Sequence, residues 1–362
     1  MIVIVLGTRP EIIKMAPVIR ECVRRGVDHF VLHTGQHYDY EMDKVFFNEL
    51  ELEPESVNLD VGSGTHGEVT GKMLIGIEKV LMERNPGTVL VQGDTNTVVA
   101  GALAAVKLHK TVGHVEAGLR SYNKEQPEEH NRIIADHIST LLFAPTEKAE
   151  QALLHEGLPR ESIFLTGNTI VDAVQQNLEI AKKRSDVLER FNIHKDGYFL
   201  VTAHREENVD HLDRLASILD GLKSVAERYG LPLVFPMHPR TKNRIREFGL
   251  QERLDAIAGL KVTQPLGFFD FLSLEANAKL ILTDSGGVVE EACILKVPCV
   301  SMRDKSDRQE SVDVGASTLS GTDSAKIAKL AAEMLNRKRS WKSPFGDGKA
   351  AERIVSLSAG AT

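Results

Sequence analysis

The chain has 362 residues, with 44 basic and 51 acidic side chains and a net charge of −7. Hydrophobic residues make up 42% and charged residues 26%, which is ordinary for a globular protein long enough for two domains. The acidic balance argues against nucleic acid or an anionic membrane as the main partner. No apolar run approaches the length of a signal-peptide core or a membrane span. The three cysteines match no metal-ligand spacing, so we expect reduced thiols and a cytoplasmic location.

Short β-branched runs alternate with longer stretches of helical periodicity. Two examples of the helical pattern are residues 12–25 and 212–229. This alternation predicts the α/β class, with parallel sheets covered by helices on both faces. The predicted strands, in chain order, are residues 2–6, 29–34, 89–93, 112–117, 141–145, 163–167, 198–203, 233–237, 280–284 and 298–302.

The two halves of the chain share a weak internal similarity. Residues 89–117 and 280–302 both read as a strand, an Asp, a small polar turn, a helix and a second strand. Residues 2–11 and 198–207 both read as a strand followed by a turn with a basic residue and a Glu. We therefore predict two Rossmann-like domains. Their predicted bounds are 1–170 and 171–346, with a final helix at about 347–362 that could pack on the first domain.

Acidic residues stand at the ends of several predicted strands, where open parallel sheets bind ligands. Asp94 follows one strand, Glu116 lies in another, and Glu128 falls in the first turn of a helix that begins at Pro127. Carboxylates in a desolvated site acquire the raised pKa values that general bases need. Structural alternatives stay open: Asp94 as a helix cap, Glu116 in an ion pair, and Glu128 as a surface residue that complements the helix dipole. Glu128 and Arg132 are four residues apart, a spacing that favours an ion pair.

A second pattern points to an anion. In LILTDSGGVVEEA (280–292), a strand ends at Ser285, Gly286 and Gly287, and a helix follows at once. Glycines let backbone N–H groups approach an oxyanion, and the helix dipole favours negative charge there. No GxxxxGK[ST] sequence occurs, and no GxGxxG directly follows a predicted strand, so neither ATP hydrolysis nor ordinary NAD binding is favoured. The alternative is a tight turn that uses glycine only for its geometry.

Several cations and one aromatic residue lie near the same predicted strand ends. Arg9, Lys14, His204 and Arg308 could meet a diphosphate, although Arg9 and Lys14 could equally be a solvated helix start. Phe271 could stack on a base or pack in the core.

Histidines occur in two further segments of the sequence. His130 and His137 are two turns apart on one predicted helix, too far to share a metal ion, so we interpret them as helix surface. The segment His238–Pro239–Arg240 follows a strand, and its role is left open.

Taken together, the motifs resemble the non-hydrolysing UDP-N-acetylglucosamine 2-epimerases. The similarity runs from the first strand to about residue 350. It rests on the combination of GTRPEIIKMAPVI (7–19), VLVQGDTNT (89–97), GHVEAGLRS (113–121), PEEHNR (127–132), GNTIVDA (167–173), LTDSGGVVEEA (282–292) and PFGDG (344–348).

The resemblance implies two Rossmann-like domains with a cleft between them, as in GT-B glycosyltransferases, and a homodimer. It also implies reversible conversion of UDP-GlcNAc to UDP-ManNAc, with no cofactor and no obligatory metal. The proton at C2 is lost and UDP leaves C1, which gives 2-acetamidoglucal. UDP then adds back while a proton returns to the opposite face of C2.

The resemblance also implies a role for each matching residue. Asp94, Glu116 and Glu128 are the acid/base carboxylates, and His204 contacts the departing diphosphate. Glu291 binds the ribose, and Phe271 lines the uracil pocket. The residues that hold UDP are Arg9, Lys14, Ser285, Gly286, Gly287 and Arg308.

The sequence departs from the family pattern at four positions. Val289 stands where Gln is usual, Gln309 replaces a Pro beside Arg308, and Lys44 and Lys72 stand where Gln and Arg are expected. The last two changes argue against allosteric activation by UDP-GlcNAc. The first two leave room for a modified substrate, such as a UDP-2,3-diacetamido uronic acid.

Other activities remain as alternatives. A hydrolysing epimerase would release ManNAc and UDP. A GT-B glycosyltransferase needs fewer acidic residues at its strand ends, and a binding protein without catalysis needs neither the carboxylates nor His204.

Overall fold

The structure is a computed structural model, and it describes residues 1–35, 47–52, 55–306 and 308–360. The chain divides into two compact units, one of residues 1–175 and 345–362 and the other of residues 176–344. The division falls at Gln175, whereas the sequence placed the boundary at residue 170. None of the helices in the described ranges is long and apolar enough to cross a membrane.

The first unit is built on a seven-stranded parallel sheet. Its strands are β1 Ile2–Leu6, β2 His29–His33, β3 Ser56–Asn58, β4 Thr88–Gln92, β5 Thr111–Val115, β6 Leu141–Ala144 and β7 Ile163–Leu165. Their order in the sheet is β3-β2-β1-β4-β5-β6-β7. Every residue of β1 and β4 is buried, as expected for a central strand covered on both faces.

Helices cover both faces of this sheet. They are α1 Arg9–Arg25, α2 His66–Arg84, α3 Asn96–Lys107, α4 Pro127–Ile138, α5 Glu147–His155, α6 Thr169–Arg184, which runs past the division, and the C-terminal Ala350–Gly360. The C-terminal helix returns to α1, where Arg25 Nη1 donates to Ser356 Oγ at 2.6 Å. The amides of Ala350 and Ala351 donate to the Asp172 carboxylate, which fixes the start of this helix in the first unit.

The second unit contains a six-stranded parallel sheet. Its strands are β8 Phe199–Thr202, β9 Leu233–Pro236, β10 Leu260–Thr263, β11 Leu280–Thr283, β12 Cys299–Ser301 and β13 Ser317–Leu319, in the order β10-β9-β8-β11-β12-β13. The helices are α7 Val187–Arg190, α8 Glu206–Val209, α9 Leu212–Tyr229, α10 Pro239–Glu247, α11 Gln251–Asp255, α12 Phe268–Asn277, α13 Gly286–Ile294, α14 Gln309–Asp313 and α15 Ser324–Leu335. The C-terminal helix Ala350–Gly360 is α16.

The two sheets use the same strand order around their centres. In the first sheet the order reverses between β1 and β4, and in the second between β8 and β11. The predicted similarity between the halves is confirmed, because β4-α3-β5 and β11-α13-β12 occupy equivalent places. The α/β class and the two Rossmann-like halves are also confirmed. The crevice at such a reversal is where open α/β sheets bind ligands.

All ten predicted strands are present, and three further short strands of the described ranges were not predicted. The missed strands are β3, β10 and β13, each at an edge of its sheet. They read SVN, LKVT and STL, with partly exposed residues and no continuous apolar run. An edge strand buries less of its surface, so its sequence carries a weaker signal. The cysteines Cys22, Cys293 and Cys299 are all buried and unbonded to one another.

Replacing Gly118 with alanine tests the packing behind β5. Gly118 has φ +82°, and a Cβ there would lie 2.3 Å from the Ala149 carbonyl oxygen and 2.8 Å from Leu153. We expect Gly118→Ala to lower the free energy of unfolding by about 3 kcal/mol, from left-handed strain plus overpacking.

Gly157→Ala is the matched control. Gly157 has φ +83°, with no described atom within 4 Å of the added Cβ. Its cost should be only about 1 kcal/mol. Equal losses for the two variants in urea unfolding would show that the contact with α5 is not tight.

Candidate functional site

Glu116 is the most heavily bonded of the predicted residues. It directly follows β5, has φ +70°, and is only 5% exposed. Lys14 Nζ lies 2.7 Å and 2.8 Å from its two oxygens. Asn168 Nδ2 donates at 2.8 Å, and Gln92 Nε2 donates as well. The sequence predicted either a catalytic group or an ion pair, and the structure places Glu116 in a buried ion pair with two further donors.

Asp94 follows β4, the strand that pairs with β5 in the sheet. Arg132 Nη2 lies 2.5 Å from Asp94 Oδ2, and the side chain of Asp94 is 31% exposed. Asn131 Nδ2 donates to the Asp94 carbonyl oxygen at 2.8 Å. Arg132 and Asn131 both come from α4, so this helix holds the turn that carries Asp94.

The predicted pairing of Glu128 with Arg132 is wrong. Glu128 is exposed in the first turn of α4, and Arg132 contacts Asp94 and Glu129 instead, with Arg132 Nη1 at 2.9 Å from Glu129. Glu129 is buried and accepts bonds from the amides of Ser121 and Tyr122, both at 2.9 Å. Burial raises the pKa of Glu129, but these amides and Arg132 outweigh it and hold the pKa below its ordinary value. The spacing alone could not distinguish the two adjacent glutamates.

A buried histidine supports the turn that carries Asp94. His114, on β5, has Nδ1 at 2.6 Å from Asp136 and Nε2 at 2.8 Å from the Gly93 carbonyl oxygen. Burial lowers the pKa of His114, yet the Asp136 carboxylate more than offsets it, and the net shift is upward. Asp136 also pairs with Arg120 at 2.7 Å. This group fixes Gly93, the residue before Asp94.

Glu11 is a further residue that the sequence reasoning missed. It lies in the first turn of α1, is buried, and accepts bonds from the Gly7 and Thr8 amides and from the Thr95 hydroxyl. Burial raises its pKa to about 7, against the opposing effect of those bonds. Arg9, the predicted diphosphate ligand at the start of α1, is exposed.

In the second unit, Asp284 holds the turn after β8. This fully buried carboxylate follows β11 and accepts bonds from the amides of His204 and Arg205 at 3.0 Å and from Asn208 Nδ2 at 3.2 Å. Burial raises the pKa of Asp284, but His204 and these amides outweigh it and lower the pKa overall. The His204 ring, 39% exposed, has Nδ1 at 3.3 Å from Asp284.

The segment left open in the sequence lies beside His204. The rings of His238 and His204 have centroids 5.8 Å apart. Burial, together with the charges of His204 and Arg240, lowers the pKa of His238. Arg240 itself bonds Asp210 and Glu206. The segment therefore supports the His204 turn.

Ser285, Gly286 and Gly287 form the start of α13. Ser285 is the N-cap, with its Oγ accepting from the Val288 amide at 3.5 Å. The first amides of a helix have no partner within it, so those of Gly286 and Gly287 are available to an anion. Among the described atoms, only Ser285 Oγ lies within 4 Å of a Cβ added at Gly287, at 3.9 Å. Folding alone therefore does not require glycine here.

Glu291, one turn into α13, is bonded to a carboxyl that sequence reasoning missed. Glu275 on α12 is 1% exposed and hydrogen-bonded to Glu291. Burial and the Glu291 charge raise the pKa of Glu275 well above its ordinary value. Two carboxyls can share a hydrogen bond only when one of them is protonated. Phe271, also on α12, is half-buried against the core beneath α13.

The other basic residues singled out in the sequence pair with acidic side chains or bond backbone carbonyl oxygens, where the structure describes them. Arg308 precedes α14, and its Nε lies 3.1 Å from the buried Glu290. Lys72 pairs with Glu68 on α2 at 2.7 Å, whereas Lys44 lies outside the described residues. His130 and His137 each bond a backbone carbonyl oxygen.

Replacing Lys14 with methionine tests how far Glu116 depends on its cation. The variant leaves a buried carboxylate without its ion-pair partner, so we expect the free energy of unfolding to fall by about 3–5 kcal/mol. Lys72→Met is the control, because the Lys72–Glu68 pair is about half-exposed and its loss should cost only about 0–1 kcal/mol. Similar small losses for both variants would mean that other donors suffice for Glu116.

Comparison with known proteins identifies the family. The family described as UDP-N-acetylglucosamine 2-epimerase matches residues 20–358. The UDP-N-acetylglucosamine 2-epimerase of Methanocaldococcus jannaschii is 55% identical, over 98% of this chain and 97% of that protein. A crystal structure of the M. jannaschii UDP-GlcNAc 2-epimerase in complex with UDP-GlcNAc and UDP has a TM-score of 0.84 and 55% identity, covering 98% of both chains.

A more distant relative acts on another sugar. The UDP-2,3-diacetamido-2,3-dideoxy-D-glucuronate 2-epimerase of Pseudomonas aeruginosa is 38% identical over 98% of both chains. Both relatives are 2-epimerases of UDP-sugars by name, and the family match covers nearly the whole sequence. The chain therefore belongs to the UDP-N-acetylglucosamine 2-epimerase family.

Proposed function

We propose that the protein interconverts UDP-GlcNAc and UDP-ManNAc by inversion at C2, without net hydrolysis. The family match and the relative at 55% identity support the epimerase activity. The observation that carries the proposal is the position of the predicted residues. Asp94 lies at the reversal of strand order in one sheet, and His204 and Ser285 lie at the reversal in the other.

The reaction is proposed to proceed by elimination of UDP and its re-addition. The C2 proton is weakly acidic, so a base alone is insufficient, and departure of the diphosphate has to be made easier. The free amides at the start of α13 and the positive end of its dipole suit that task. Arg9, His204 and Arg308 supply further positive or donor groups.

The surroundings of the three carboxylates suggest a division of work. Lys14, Gln92 and Asn168 are among the residues that bond Glu116, and these donors stabilise its ionised form and fit it for positioning and electrostatic stabilisation. Asp94 has one arginine partner and is partly exposed, and Glu128 is exposed. Because these two are less constrained, we propose that Asp94 and Glu128 exchange protons with C2.

The second unit is proposed to bind the nucleotide. Glu291 would accept bonds from the ribose hydroxyls, Phe271 would contact uracil, and Ser285 with the two glycines would contact the diphosphate. Closure of a cleft, assembly as a homodimer, the domain bounds of 1–170 and 171–346, and a cytoplasmic location stay predictions.

Asp94→Asn tests the activity together with its proposed acid/base group. With wild-type protein, UDP-GlcNAc alone should yield UDP-ManNAc, and UDP-ManNAc should return to the same equilibrium mixture, as followed by chromatography. We expect the variant to lose about 100-fold or more in kcat, the usual size of an acid/base contribution. The control is Asp220→Asn, because Asp220 also pairs with an arginine, Arg253, at 2.6 Å.

The products separate the alternatives. UDP and free ManNAc would indicate a hydrolysing enzyme, and an inert wild type that converts the diacetamido uronic acid would indicate the modified substrate. Full activity of Asp94→Asn would exclude Asp94 as a proton-transfer group.

Gly287→Ala separates binding from folding. The added methyl has open space, and alanine is a better helix former than glycine, so stability should stay equal or rise by about 0.5–1 kcal/mol. If the Gly287 amide closes on the diphosphate, the Kd for UDP measured by calorimetry should rise about tenfold or more, or about 1.4 kcal/mol.

Gly67→Ala is the control for Gly287→Ala. Gly67 is likewise the second residue of its helix, α2, with no described atom within 4 Å of an added Cβ. It should change neither UDP binding nor the fold. Unchanged affinity in Gly287→Ala would remove this amide from the diphosphate site.

A further inference from the structure

Glu11 joins two loops that carry proposed reaction residues. It is 3% exposed, and one of its oxygens, Oε2, accepts bonds from the Gly7 amide at 2.6 Å and the Thr8 amide at 2.8 Å. Its other oxygen, Oε1, accepts a bond from Thr95 Oγ1 at 2.6 Å, from a residue 84 positions away. The first loop leads into α1, and the second connects β4 to α3.

Helix capping explains only part of this arrangement. A capping glutamate returns to the N-cap amide, here that of Thr8, and needs neither burial nor a distant third donor. At the start of α2, Glu68 occupies the same position after Thr65 and is exposed, with its carboxylate paired to Lys72. Glu11 therefore does something that a cap at the surface does not require.

Thr95 gives an independent indication. It is the N-cap of α3, where a threonine hydroxyl commonly accepts a bond from a helix amide. Within the described chain, its hydroxyl makes no such cap bond and donates to Glu11 instead. The chain therefore forgoes a local cap at α3 in favour of a bond between the two loops.

We propose that Glu11 is a positioning residue for the reaction, which fixes the loop presenting Arg9 against the loop presenting Asp94. This inference rests on the proposed function, because it assigns Arg9 to the diphosphate and Asp94 to proton transfer. Glu11 contacts neither of them through its side chain bonds, which go to Gly7, Thr8 and Thr95.

The link depends on the charge of Glu11. Gly7, Thr8 and Thr95 all donate to Glu11, so the ionised carboxylate can accept every one of these hydrogen bonds. A proton on either carboxylate oxygen would point at a donor and break a bond. With the pKa raised to about 7, the ionised fraction grows as pH rises through neutrality, and the link is complete at higher pH. The charged residues near Glu11 on α1 and on the turn after β4 are Arg9, Lys14 and Asp94. Arg9 is exposed, Lys14 pairs with Glu116, and Asp94 pairs with Arg132.

The experiment compares Glu11→Gln, Thr95→Val, Thr95→Ser and the double variant Glu11→Gln/Thr95→Val. Glutamine turns one acceptor into a donor, and valine removes only the link while both backbone bonds to Glu11 stay. The control is Glu21→Gln on the same helix, where Glu21 pairs with Arg24 and Arg25 near the surface. UDP-GlcNAc epimerisation is measured from pH 6 to 8.5.

We expect Glu11→Gln and Thr95→Val each to lower kcat about 30-fold at pH 8.5, with the double variant no worse than either. The deficit of Glu11→Gln should shrink to a few-fold at pH 6, where the wild-type link is also weakened. Thr95→Ser, which keeps the hydroxyl, should stay close to wild type. A pH-independent deficit, multiplied losses in the double variant, or full activity in Thr95→Val would reduce Glu11 to a helix cap.

A failure of the proposed function would be recognised separately. If wild type and Glu21→Gln do not convert UDP-GlcNAc, the proposed activity is wrong. The bond between Glu11 and Thr95 is then tested by the free energy of unfolding in urea of the same variants at pH 8.5. A coupling of about tenfold in the unfolding equilibrium constant between Glu11 and Thr95 would retain the link. Additive effects would reject it. If Glu11→Gln does not fold, the comparison of Thr95→Val with Thr95→Ser carries the test, because both leave the cap in place: a lower stability of the valine variant would retain the link, and equal stability would reject it.

Discussion

The arrangement of the first unit depends on a buried carboxylate at the end of its fifth strand. Glu116 has a left-handed backbone and little exposure, so its charge has to be met by partners within the protein. Those partners include Lys14 on α1, Gln92 on β4, and Asn168 just before α6. The need to satisfy one buried charge therefore fixes three elements around the end of β5. It also places Lys14 against Glu116, so any contact of Lys14 with a diphosphate would be made from this pair.

The equivalent turns of the two units use the same acidic residue in different ways. Asp94 follows β4 and Asp284 follows β11, which are matching strands of the two sheets. Asp284 is fully buried, and its carboxylate accepts hydrogen bonds from the amides of His204 and Arg205. Asp94 keeps one arginine partner and part of its surface exposed. This difference fits a division in which the first unit supplies proton transfer and the second holds the nucleotide, as we propose.

Much of the fold could be predicted from local sequence, and much of the network around the site could not. Central strands such as IVIVL carry their own apolar signal, and strand order brings residues after β1 and β4 together. Edge strands such as SVN bury too little to be recognised. Three features depend on tertiary contacts. They are the pairing of Arg132 with Glu129 instead of Glu128, the bond from Thr95 to Glu11, and the raised pKa of Glu275 beside Glu291. No spacing in the sequence encodes them, because the partners lie on separate elements or differ by one position.

Proton NMR of the purified protein with UDP-GlcNAc in D2O, with nothing else added, tests the account most directly. If carboxylates at the strand ends remove and return the C2 proton, UDP-ManNAc should appear with deuterium at C2, and neither free ManNAc nor accumulating UDP should be seen. UDP-ManNAc that keeps its original hydrogen at C2 throughout would contradict exchange through these carboxylates. Release of free sugar and UDP in step with loss of substrate would contradict epimerisation without net hydrolysis.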